Sequence, residues 1–107
     1  MTVRLASSIK VSALLRRVDA AGGFAAVLAR GDATAGSIAI VTRDHGETRL
    51  LAATLAPSGG YEWLPIAEGE AIPAWIERAR RNDPDLWVIE LDIPDAARFV
   101  AETLATS

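Results

Sequence analysis

Apolar residues at Val11, Leu14, Leu15 and Val18 recur at i, i+3, i+4 and i+7, which puts them on one stripe of a helix. Ser7 and Ser8 stand ahead of that stripe as capping residues, and Gly22-Gly23 ends it, since glycine tolerates the left-handed backbone of a helix terminus. From Phe24 the period changes to two. Phe24 to Arg30, Ser37 to Arg43, Thr48 to Leu55 and Tyr61 to Ile66 read as four short strands separated by turn-forming segments at 31–36, 44–47 and 57–60. Such short links are expected to join antiparallel neighbours, because a parallel return needs a dozen or more residues.

Pro73 suits the first turn of a second helix running through Trp75, Ile76 and Ala79 to about Asn82, where Asp83-Pro84-Asp85 breaks it. Leu86 to Ile93 follows as a strand rich in β-branched and aromatic residues, ended by Pro94. A last helix from Asp95 to about Leu104 turns Phe99 and Val100 inward and frays over 105–107. The expected fold is therefore a single α+β domain over residues 1–107. Its sheet is antiparallel, mostly a meander of about five strands, with three helices in the order α-β-β-β-β-α-β-α.

Several strands are apolar on both sides: Val27 and Ala29 against Phe24 and Leu28, Val41 against Ile38 and Ile40, Leu51 and Leu55 against Leu50. Both sheet faces then want cover, more than three short helices supply, and the first helix also carries Ile9, Ala13 and Ala20 opposite its main stripe. A second copy of the chain is the expected cover, because closed two-fold dimers are the commonest soluble oligomers.

Composition narrows the chemistry. The 107 residues contain no cysteine and one histidine, His45. Disulfides, thiolate metal sites and cysteine nucleophiles are excluded, and a reducing cytoplasm fits. A net charge of -3 repels phosphate backbones, so nucleic acid is not an expected partner. No run approaches the roughly 18 apolar residues of a membrane span, and the start of the chain lacks a secretory signal. Ten of the eleven cations are arginine, with Lys10 the lone lysine, which reflects coding bias before phosphate recognition.

Two stretches resemble a family of small alphaproteobacterial proteins classed as a domain of unknown function. One runs from Val11-Ser12-Ala13-Leu14-Leu15-Arg16-Arg17 through Gly22-Gly23-Phe24 to Arg30-Gly31-Asp32, and the other is Asp83-Pro84-Asp85-Leu86-Trp87-Val88-Ile89-Glu90. The resemblance covers nearly the whole chain. It implies a bacterial cytoplasmic setting and no known activity, and it transfers no catalytic residue.

Candidate chemistry is sparse. Asp44-His45-Gly46-Glu47 places two carboxylates and an imidazole together, but a hairpin tip lacks the companion ligands of a metal site and reads first as a polar turn. Gly31 and Gly36 echo a phosphate loop without its Gly-Lys-Ser/Thr ending, and Arg30-Gly31-Asp32 is a chance adhesion tripeptide. Asp83 and Asp85 read as turn formers. Trp63, Trp75 and Trp87 read as core pieces, unless two of them meet in an open groove and line a ligand pocket.

Arginines offer the ligand hypothesis. Arg16 and Arg17 on the first helix and Arg78, Arg80 and Arg81 on the second would form a positive patch if those helices were neighbours. Against that, helix-surface arginines commonly pair with nearby carboxylates such as Asp19, Glu77, Asp83 and Asp85. The reading is a non-enzymatic cytoplasmic interaction module that self-associates or docks on a protein partner, with no catalytic residue, metal or cofactor expected. The alternative is a binding protein for a small anionic metabolite or nucleotide held by Arg16, Arg17, Arg78 and Arg81, with Trp87 in the pocket wall.

Overall fold

The structure, a computed structural model, describes residues 5–104. The amino-terminal residues 1–4 and the fraying expected over 105–107 lie outside them. The elements follow one another as α1 (Ser7–Ala20), β1 (Phe24–Ala29), β2 (Ile38–Asp44), β3 (Glu47–Leu55), β4 (Tyr61–Glu68), α2 (Ala71–Asn82), β5 (Trp87–Asp92) and α3 (Ala96–Thr103). Element order and type match the sequence reading.

The end of α1 is built as its glycines suggest. Gly22 takes a left-handed φ of 84°; its N–H donates to Asp19 O at 3.0 Å and that of Gly23 to Val18 O at 3.0 Å, the paired bonds that close a helix C-terminus. The start differs from expectation, because Ala6 is the N-cap and no side chain caps the helix. The N–H groups of Ser7 and Ser8 donate instead to Thr34 O and Ala33 O at 3.1 and 2.9 Å, and Ser7 Oγ donates to Gly36 O at 2.6 Å. Carbonyls of the β1–β2 loop thus supply the acceptors that a capping side chain would have supplied.

The meander is overturned. The strand order is β1-β5-β2-β3-β4, with β5 antiparallel to β1 but parallel to β2, where Ile38 pairs with Trp87 and Val41 with Glu90. The sheet is mixed. Strands β2, β3 and β4 do form hairpins, but α2 carries the chain back so that β5 enters between β1 and β2. A link over 30–37 need span only about 10 Å to skip one strand, well within its extended reach. Short links therefore permit a one-strand gap that the antiparallel-neighbour rule does not foresee.

That gap explains two glycines. The link crosses the segment entering β5, where Asp32 N–H donates to Asp85 O at 3.0 Å. A Cβ on Gly31 or Gly36 would lie 2.1 or 2.3 Å from that same Asp85 oxygen. Bare backbone is required for the crossing.

Both faces of the central strands are covered by the chain itself. Helices α1 and α3 bury Val11, Leu14, Val18, Ala96 and Val100 against Ile40, Leu51, Ile89 and Leu91. Helix α2 brings Ile72, Trp75 and Ile76 against Ala39, Val41, Leu50 and Val88 on the other face. The uncovered apolar area expected from two-sided strands is confined to the edges. In β1, Phe24 and Leu28 are 59% and 51% exposed; in the β3–β4 hairpin, Leu55 and Tyr61 are 64% and 54% exposed.

Candidate functional site

A groove of about 480 Å³ lies beneath the N-terminal end of β2, lined by residues that pack with both cores. Strand β2 stops at Ile38 while the β3–β4 hairpin continues past it, leaving a notch. Trp63 and Leu104 wall the notch on the α1/α3 side, Trp75 and Asp83 on the α2 side, and Lys10 reaches it from α1. Small side chains keep it open: Ala39, Ala52, Ala53 and Ala79 all line it. Trp63 Nε1 donates to Leu104 O at 3.4 Å. The sequence showed three tryptophans without showing which would share a groove; Trp63 and Trp75 line this one from opposite sides, and Trp87 does not.

Trp87 is a core residue, 3% exposed. Its Nε1 donates to Asp32 O at 2.7 Å, and the Arg30 guanidinium lies 5.6 Å from its ring centroid. Asp32 Oδ2 accepts the N–H groups of Thr34 and Ala35 at 3.1 and 2.8 Å. The segment that echoed a phosphate loop is a loop closed on its own backbone.

The arginines do not form one patch. Helix α1 lies on one face of the sheet and α2 on the other, so Arg16 and Arg17 are separated from Arg78 and Arg81 by the β-layer. Arg17 donates to Thr103 Oγ1 at 2.8 Å, lies 3.9 Å from Glu102 and stands over Phe99 at 5.4 Å. Arg81 pairs with Glu77 one turn earlier at 3.1 Å. Arg80 donates to Leu86 O at 2.8 Å and Arg30 O at 3.1 Å, tying the end of α2 to the entry of β5. Among the described residues, Arg16 and Arg78 form no ion pair or hydrogen bond.

At the opposite end of the sheet, His45 and Gly46 have φ of 51° and 81° between the paired residues Asp44 and Glu47. This is a tight hairpin turn, as its sequence suggests. The Asp44 Oδ1 atom is buried without a hydrogen bond and lies 2.7 Å from His45 Nδ1, close enough for a salt bridge once the imidazole is protonated. Asp44 Oδ2 accepts the N–H of Asp95 at 3.2 Å, which holds that residue left-handed, at a φ of 58°, as the N-cap of α3. The positive end of α3 is thus occupied by a carboxylate of the chain itself. No group of three metal-ligating side chains occurs among the described residues. Beside this end, the Glu90 carboxylate bonds the Arg43 guanidinium and raises its pKa above an already high ordinary value, so Arg43 stays cationic at every working pH.

The two edge strands differ. Strand β4 carries Pro65, Glu62 and Glu68 and an irregular register between its partners Leu50 and Leu51, features that discourage pairing with another strand. Strand β1 reads Phe-Ala-Ala-Val-Leu-Ala, with neither charge nor proline. Its regular ladder with β5 runs from Phe24 to Val27, and a bulge at Leu28 then aligns Ala29 with Val88 on the α2 face.

A family model described as "Protein of unknown function (DUF1491)" matches residues 5–101. The crystal structure of a DUF1491 family protein from Caulobacter crescentus CB15 superposes with a TM-score of 0.80 at 35% identity, covering 90% of this chain and 94% of that one. An NMR structure of a DUF1491 family protein from the same organism gives 0.77 at 35% identity, over 92% and 94% of the two chains. The solution structure of a protein from A. tumefaciens gives 0.72 at 39% identity, over 87% and 89%. Both organisms are alphaproteobacteria, as the sequence motifs implied. No curated protein matches the chain.

Proposed function

The chain belongs to the DUF1491 family, and from that premise we propose that it is a non-enzymatic interaction module whose docking element is the edge of β1 and whose partner is a second copy. One observation carries this reading: an uncharged edge strand on which Phe24, Val27 and Leu28 stay 59%, 37% and 51% exposed. An open edge presents a row of unpaired N–H and C=O groups, and natural sheets usually blunt it with charge or proline. This chain does so at β4 and not at β1.

Antiparallel pairing of β1 with its copy about a two-fold axis satisfies those groups and extends each sheet into one continuous layer. It also covers Val27, which shares the α1 face with its β5 partner Ile89. The non-enzymatic part is supported by the lone histidine, His45, whose side chain is 85% exposed at a hairpin tip. No helix among the described residues is long and apolar enough to cross a membrane, and a cysteine-free chain suits a reducing cytoplasm.

The test is sedimentation equilibrium of the full chain beside Val27→Lys. The proposal expects a dimer that dissociates on dilution for the native chain, and a monomer at the same concentrations for the variant. A native chain that stays strictly monomeric at high micromolar concentration contradicts it.

A further inference from the structure

The groove at the end of β2 has no role in pairing through β1, and we infer that it binds a small, flat, apolar monocarboxylate, its ring against Trp75 and Trp63 and its carboxylate facing Lys10. Size comes first. About 480 Å³ accommodates one small molecule and lies inside the usual range of ligand pockets. The hollow exists because Ala39, Ala52, Ala53 and Ala79 meet at this level of the fold; larger side chains there would fill it.

The character of the ligand follows from what the walls leave unused. Trp63 and Trp75 are both half-buried, so each offers apolar ring surface to a flat occupant. Among the described residues the Lys10 ammonium makes no ion pair, and the Trp75 indole N–H and Tyr61 hydroxyl make no hydrogen bond, although all three side chains line the groove. The other charged group in the lining, Asp83, already accepts the Asp85 N–H through Oδ1 at 3.1 Å. Among the described residues Lys10 is the one cation of the lining and forms no ion pair there, which selects a ligand bearing an anionic acceptor. One ammonium balances one carboxylate. A nucleotide polyphosphate would bring more negative charge than Lys10 offsets, and would place it near Asp83 in a chain of net charge -3.

The test titrates 2-naphthoate, and naphthalene-2-carboxamide as its neutral counterpart, into the full chain while the indole N–H resonances are followed. The expected result is movement of the Trp63 and Trp75 signals, a still signal from the buried Trp87, and about ten-fold tighter binding of the acid than of the amide. Lys10→Gln, a change at a half-buried helix position that keeps most of the side-chain length, removes that preference by weakening the acid alone. Val27→Lys leaves both affinities unchanged, so loss of self-association and loss of this site are separable. Equal affinity for acid and amide, shifts confined to other residues, or no binding at millimolar ligand overturns the inference.

Discussion

The indole N–H of Trp87 is hydrogen-bonded to the main-chain carbonyl of Asp32 at 2.7 Å, across a sequence separation of 55 residues. This bond joins the two most distinctive segments of the chain, Arg30-Gly31-Asp32 and Asp83-Pro84-Asp85-Leu86-Trp87. The β1–β2 link crosses the entry of β5 at this place, Asp32 N–H bonds Asp85 O, and Trp87 N–H bonds Ser37 O at 2.8 Å. Residues that resembled ligand motifs are explained by a strand inserted between two others.

Gly31→Ala and Gly36→Ala should each destabilise the protein by about 1–3 kcal/mol, the usual range for forced overpacking, because the new Cβ meets a backbone oxygen that cannot rotate away. Gly60→Ala, with nothing within 4 Å of its Cβ position, should change stability by no more than about 0.5 kcal/mol. Urea unfolding of the three variants checks the contrast.

Trp87→Phe keeps most of the buried ring and removes its donor. The expected loss is about 1–3 kcal/mol, since the Asp32 carbonyl gives up a short bond in a half-dry setting. The same change at Trp75, which makes no hydrogen bond among the described residues, should cost less in the same thermal melt.

Arg80 and Arg81 are adjacent in sequence and differ in task. Arg80→Ala removes two bonds to backbone carbonyls, one of them part-buried, and should cost about 1–2 kcal/mol. Arg81→Ala removes an exposed one-turn ion pair with Glu77 and should cost no more than about 0.5 kcal/mol, less still in high salt. Melting curves at low and high ionic strength distinguish them.

At the β2–β3 turn, Gly46→Ala places a side chain at a φ of 81° and should cost about 1 kcal/mol or more. His45→Asn suits the φ of 51° better than histidine and should be neutral or slightly stabilising. Zinc should leave the melting temperature of the native chain unchanged, because this turn works as a turn and not as a ligand set.

Local signals in the sequence were legible and the sheet order was not. Helix α1 announced itself through its apolar stripe and Gly22, and the hairpin turn through His45-Gly46. The missing information concerned β5. Its run places Trp87, Ile89 and Leu91 on one face and Leu86 and Val88 on the other, all buried, and a strand apolar on both sides belongs inside a sheet. The short 31–36 link nevertheless suggested that β1 and β2 were neighbours, because link length constrains adjacency only loosely. The groove was hidden for a related reason: it depends on where β2 stops relative to β3, and the alanines that open it carry no chemical signal of their own. The arginine clusters misled because helical periodicity does not reveal which face of a sheet a helix will take.

The most direct test of β1 as the docking edge is amide hydrogen exchange of the full chain at two concentrations, above and below the dimer midpoint. Pairing through β1 predicts that outward-facing amides within Phe24 to Leu28 exchange more slowly in the concentrated sample, while amides of β4 do not change. Exchange in β1 that is equally fast at both concentrations, or protection that appears along β4 instead, would contradict it.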